Sequence, residues 1–120
     1  MGRFEVIGDV PDELRNGPLV LAANHISPID PIVLTAATGM RRSRPRIIAM
    51  GGLFRAPVIG SVMRACGHIR VDRRGATVGE ALGVATAALA AGSVVMLYPE
   101  SRIGLDPAMW PEQGKTGAGR

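Results

Sequence analysis

A histidine and a carboxylate stand five positions apart in a proline-containing turn, Asn24-His25-Ile26-Ser27-Pro28-Ile29-Asp30. Such a pair can do acid-base work on a hydroxyl. A neutral imidazole within hydrogen-bond reach of an alcohol takes its proton as that oxygen attacks a carbonyl. A carboxylate on the other ring nitrogen fixes the tautomer and stabilises the imidazolium. No serine or cysteine nucleophile is then required, because the substrate supplies the attacking oxygen. A purely structural reading stands beside this one. Asp30 precedes Pro31 and the apolar residues Ile32, Val33 and Leu34, so it is placed to act as a helix N-cap with proline at the first helical position.

The elements that must position this pair follow from hydropathy and punctuation. The apolar run Leu19-Val20-Leu21-Ala22-Ala23 reads as a buried strand that delivers His25 into the loop at its end, where active-site residues of α/β folds gather. Phe4 to Ile7 reads as a short strand, and Gly8 to Pro18 as a turn or a one-turn helix. A helix is expected from Pro31 to Thr38, ended by Gly39. The basic cluster Arg41-Arg42-Ser43-Arg44-Pro45-Arg46 follows on a loop, as a solvated patch or as a surface for anionic lipid.

Ile47 to Met50 is a second core strand, broken at Gly51-Gly52. Pro57 then opens a helix through Ala65, with Val58, Ile59, Val62 and Met63 at helical spacing and Gly67 as the stop. Cys66, at the end of that apolar run, is expected to be a small buried hydrophobe. His68 to Val71 alternates as a half-buried strand and delivers Asp72-Arg73-Arg74 to its end, with His68 expected on a strand face. Thr77 and Glu80 fit a capping box that opens an Ala-rich helix ended by Gly92. Ser93 to Tyr98 is the last strand, with Pro99-Glu100 beyond it.

The alternation of strand and helix signals predicts an α/β fold, a mixed, largely parallel sheet flanked by helices. With 120 residues there is room for one domain, spanning 1–120. Hydrophobic residues make up 47% and aromatics 3%, so the core must be built from aliphatic side chains and methionine. The net charge is +4 and Lys115 is the sole lysine. An arginine-dominated basic chain suits phosphate-bearing partners. Few aromatics and no recognised binding motif argue against nucleic acid. Cys66 is the only cysteine, which rules out an intrachain disulfide and a cysteine-based zinc site, and a cytoplasmic setting is expected. The uncharged stretch 81–99 has the length of a membrane span, but Gly92-Ser93 interrupts it, so membrane contact is expected to be peripheral.

Asn24-His25-x4-Asp30, then Gly67-His68-Ile69-Arg70-Val71-Asp72-Arg73-Arg74, then Tyr98-Pro99-Glu100 occur in the order and rough spacing of three of the four blocks of the glycerolipid acyltransferase family. The chain resembles an acyl-glycerol-phosphate acyltransferase over about Pro18 to Gly117. The resemblance implies transfer of a fatty acyl group from acyl-CoA or acyl-carrier protein to a lysophospholipid such as lysophosphatidic acid. No metal or bound cofactor is implied. It assigns His25 as general base and Asp30 as its orienter. Asn24, Arg73, Glu100, Ser101 and Arg102 fall to substrate binding, with Arg73 as phosphate ligand and Glu100 and Arg102 walling the acceptor pocket.

The third block departs from the family's Pro-Glu-Gly-Thr-Arg. Here it runs Pro99-Glu100-Ser101-Arg102, with serine in the glycine's place and arginine one position early. A serine there would narrow the pocket or donate a hydrogen bond. The fourth block would lie beyond Arg120, so the domain is expected to be incomplete at its C-terminus. A catalytically incompetent lipid-binding or partner-binding fragment is therefore the competing expectation.

Overall fold

The computed structural model describes residue 3 and residues 5–40, 44–72 and 77–114. Four strands form one sheet in the order β1-β4-β2-β3: β1 Leu19–Ala22, β2 Arg46–Met50, β3 Ile69–Val71 and β4 Val94–Leu97. Every pairing among them is parallel. The largely parallel sheet predicted from sequence is thus parallel throughout in the described strands. Parallel neighbours require crossover segments, and the intervening helices supply them. These are α1 Asp30–Met40, α2 Gly51–Arg55, α3 Pro57–Ala65 and α4 Thr77–Ala90.

The apolar run 93–98 became the centre of the sheet. β4 lies between β1 and β2, and its consecutive residues Val95 and Met96 are among the most deeply buried side chains. Consecutive strand residues point to opposite faces, so both faces are covered at this point. On one face Val95 and Ile69 pack with Ala81, Ala85 and Ala88 of α4, a small-residue stripe that lets the helix lie close to the strands. On the other, Met96 is the register partner of Ile47. Fully burying an aliphatic side chain of this size stabilises by about 1.5–3 kcal/mol, which makes β4 the element least able to shift.

Helix limits follow the local chemistry in part. Pro57 starts α3, and the chain leaves it through Gly67 at φ +69°, with the His68 amide donating to the Met63 carbonyl at 3.0 Å. Gly92, at φ +83°, closes α4 in the same way. Several expectations need correction. Of the strand expected from Phe4 to Ile7, Phe4 lies outside the described residues, and residues 5–7 form no strand, with Ile7 exposed. Gly39 lies inside α1 rather than ending it. The expected break of the second strand at Gly51-Gly52 does occur, and these glycines open α2.

Cys66, the C-cap of α3, is exposed and not the buried hydrophobe expected. Val58, Ile59 and Val62 also face outward, and α3 buries only Gly60. Arg41, Arg42, Ser43, Arg73, Arg74 and Lys115, with the Thr77 side chain of the expected capping box, lie outside the described residues.

Candidate active site

Strand register brings the first and third motifs together. β1 and β4 run side by side with Ala22 opposite Leu97, and the Ala23 amide extends the ladder to the Leu97 carbonyl at 3.2 Å. His25 lies three residues past the end of β1, and Glu100 three residues past the end of β4. Two segments that leave adjacent parallel strands in step start side by side, and here they stay in contact. The His25 amide donates to Glu100 Oε2 at 3.2 Å across 75 residues of sequence. The site therefore sits at the carboxyl ends of parallel strands, where ligand crevices open in α/β sheets.

The loop is closed on itself by one carboxylate oxygen. Asp30 Oδ2 lies 2.9 Å from His25 Nδ1, and the same oxygen accepts the amides of Ile26 at 2.7 Å and Ser27 at 2.8 Å. Asp30 therefore turns back on the loop. The amides of Ile32 and Val33 in the first turn of α1 bond to the Ile29 carbonyl, so the side-chain N-cap expected of Asp30 is not made among the described residues. Burial acts to raise the Asp30 carboxyl. The hydrogen bond from His25, the Ser27 and Ile26 amides and the His25 charge outweigh it, and the carboxyl is held below its ordinary value. An anionic Asp30 fixes the tautomer with the proton on Nδ1, and Nε2 is left as the basic nitrogen. No hydrogen-bond partner occupies Nε2 among the described residues.

Two further contacts hold the imidazole and its loop. The Gly104 amide donates to the His25 carbonyl at 2.6 Å, which ties the segment after Glu100 back over the site. Tyr98, the first residue past β4, stacks its ring on the imidazole with centroids 4.3 Å apart and an interplanar angle of 22°. Sequence reasoning did not single out Tyr98. Its place at the head of the third block, Tyr98-Pro99-Glu100, was the available signal. Its phenol oxygen is buried without a hydrogen-bond partner among the described residues. Burial first, and the Asp30 charge second, push the phenol up to about 12.

The remaining candidates divide. Glu100 is buried, with 6% of its surface exposed, and its contact is with the His25 backbone. Asn24 is exposed beside His25. Ser101 has φ +60°, the left-handed region, and its amide donates to the Tyr98 carbonyl at 3.0 Å. The family's glycine at this position thus has a conformational reason. Arg102 pairs with Glu112: its Nε donates to Glu112 Oε2 at 2.8 Å, and Glu112 Oε1 accepts the Leu105 amide. Arg73 lies outside the described residues. An open concavity of about 400 Å³, lined by His68, Arg70, Asp72 and Glu80, shares no residue with this site. Among the described residues no cluster of histidine, cysteine and carboxylate side chains suits a metal ion.

Comparison with known proteins bears on the whole chain. No curated protein and no solved structure matches it. The family model described as Acyltransferase matches residues 3–120. With the His-Asp pair and the third motif assembled at one sheet edge, the chain belongs to that acyltransferase family.

Proposed function

We propose that this acyltransferase moves a fatty acyl group from acyl-CoA or acyl-carrier protein to the free hydroxyl of a lysophospholipid, with lysophosphatidic acid as the preferred acceptor and phosphatidic acid as product. The observation that carries the reading is the His25–Asp30 pair, with Nε2 unpartnered at the carboxyl end of the sheet. His25 Nε2 takes the acceptor's hydroxyl proton while that oxygen forms a bond to the thioester carbonyl carbon. Asp30 stabilises the imidazolium. The tetrahedral intermediate then collapses, the carbon–sulfur bond breaks, and the imidazolium returns its proton to the leaving thiolate. Preorganised donors at the carbonyl oxygen would carry much of the rate. Arg73 serves as ligand to the acceptor's phosphate, on its match to the family's second block.

An amphiphilic acceptor fits the surroundings of the loop. Ile26, Ile29 and Ile32 are exposed around the turn that holds His25 and Asp30, and they offer apolar contact to an acyl chain. These residues, with the Arg41-to-Arg46 cluster, support peripheral contact with an anionic membrane surface on the cytoplasmic side. No helix among the described residues is long and apolar enough to cross a membrane.

The test is transfer of a labelled acyl group to lysophosphatidic acid, from each donor in turn, by the wild-type chain and by His25→Ala. Loss of the general base should lower turnover by about 10²–10⁴-fold while binding of the acceptor to vesicle-bound protein persists. Turnover that survives the substitution, or acceptor binding with no turnover in the wild-type chain, would refute the assignment.

A further inference from the structure

Tyr98 is placed where it can control the direction of the catalytic nitrogen. One hydrogen bond, from Nδ1 to Asp30, holds the imidazole by a single edge. A ring held by that one contact can still rock about its Cα–Cβ and Cβ–Cγ bonds, carrying Nε2 through an arc. The Tyr98 ring lies against one imidazole face at 4.3 Å, nearly parallel, and closes that arc. Its own position is firm, since it is the residue after Leu97 at the end of the most buried strand, and its carbonyl accepts the Ser101 amide.

We propose that Tyr98 is a positioning residue for acyl transfer, acting through His25: Asp30 sets the tautomer, Glu100 anchors the backbone, and the Tyr98 ring sets the plane in which Nε2 points. This rests on the reading of His25 as general base. The aromatic face also contributes once a proton has been taken up, because an imidazolium stacked on a neutral ring is attracted by the ring's quadrupole. The phenol remains neutral throughout the working range, as its proton is held up to about pH 12. The hydroxyl is buried and makes no bond among the described residues, so the ring carries the role and phenylalanine can replace it.

The experiment compares wild type, Tyr98→Leu and Tyr98→Phe by two independent readouts. The chain has only two histidines, so the imidazole proton signals of His25 are assigned by their loss in His25→Ala. In wild type these signals should stand upfield of ordinary imidazole, with cross-relaxation to the Tyr98 ring. In Tyr98→Leu they should return to the ordinary position, and kcat should fall roughly two- to tenfold, the range that an aromatic pair's stacking energy implies, with KM for the acceptor unchanged. Tyr98→Phe should restore both the upfield signals and kcat. Unmoved His25 signals in Tyr98→Leu would overturn the proposal, as would a change confined to KM. Should the leucine chain not fold, the wild-type cross-relaxation decides, and its absence overturns the stack. Absence of turnover in wild type would instead count against acyl transfer, and the spectroscopic arm would still judge the stack by itself.

Discussion

Replacing Ser101 by glycine should stabilise the protein, and the size of the effect follows from one backbone angle. Ser101 sits at φ +60° directly after Glu100. A residue with a Cβ in the left-handed region carries roughly 1–2 kcal/mol of strain that glycine escapes. Glycine in turn loses more freedom on folding, a cost of roughly 0.5–1 kcal/mol relative to residues with a side chain. The balance favours Ser101→Gly by about 0.5–1 kcal/mol. For a single domain of this size that is a rise in Tm of roughly 2–6 °C. The assay is urea unfolding followed by circular dichroism, read as a shift in midpoint at unchanged slope. Ser101→Ala is the decisive companion. It keeps the strain and removes only a hydroxyl, which makes no hydrogen bond among the described residues, so it should unfold near the wild-type midpoint. A glycine variant no more stable than wild type would refute the strain argument. An alanine variant destabilised by about 1 kcal/mol would instead show that the hydroxyl is engaged.

Two further outcomes are expected. Glu100→Ala should leave the part-buried His25 amide without its acceptor and cost about 1–3 kcal/mol, with a fall in kcat, whereas Glu100→Gln keeps a carbonyl acceptor and should recover most of both; a glutamine variant impaired chiefly in acceptor KM would mean that the carboxylate charge meets the substrate. His68 should make stability fall as the solution is acidified. Its imidazole is held below the ordinary 6.5 by burial first and the Arg46 guanidinium second, and its Nδ1 accepts the Ile47 amide at 3.1 Å. Below 6.5 the unfolded chain takes up a proton that the folded chain resists, so stability present in full above that value is lost progressively down to the folded pKa. The urea midpoint of wild type should drop between about pH 7.5 and about pH 5 more steeply than that of His68→Gln, and equal slopes would remove His68 as the cause.

Strands and their order of appearance were legible because burial leaves a direct mark on composition. Val94–Leu97 is an uninterrupted apolar run, as expected of a strand covered on both faces, whereas the equally apolar Leu19–Ala22, read as buried, pairs on one side only and leaves Val20 exposed. The ends of α3 were legible for a similar local reason, proline at one end and a left-handed glycine beyond the other. The fate of α3's apolar face was not. Helical spacing says that Val58, Ile59 and Val62 share a side, but nothing in a periodicity says what lies against that side, and here they are exposed. Cys66 was misjudged by the same step, burial inferred from apolar neighbours in sequence that are themselves at the surface. Gly39 failed as a stop because one glycine inside a helix costs only about 1 kcal/mol, which continued backbone bonding can absorb.

The candidate site was legible as types and spacing, and its assembly was not. His25 and Asp30 are close in sequence, so a turn could bring them together. Glu100 and Tyr98 are more than 70 residues from His25, and only the sheet order makes them neighbours. β4 is the last strand in sequence yet inserts between β1 and β2. Its register on β1 then fixes which residues face each other past the sheet edge. A slip of one residue along that ladder would move the Glu100 carboxylate off the His25 amide and the Tyr98 ring off the imidazole together. The burial of Val95 and Met96, far from any chemistry, is what resists such a slip. Cavity-forming changes at either position should therefore disturb His25 more than their distance along the chain would suggest, because the core of β4 and the geometry of the base are one mechanical unit.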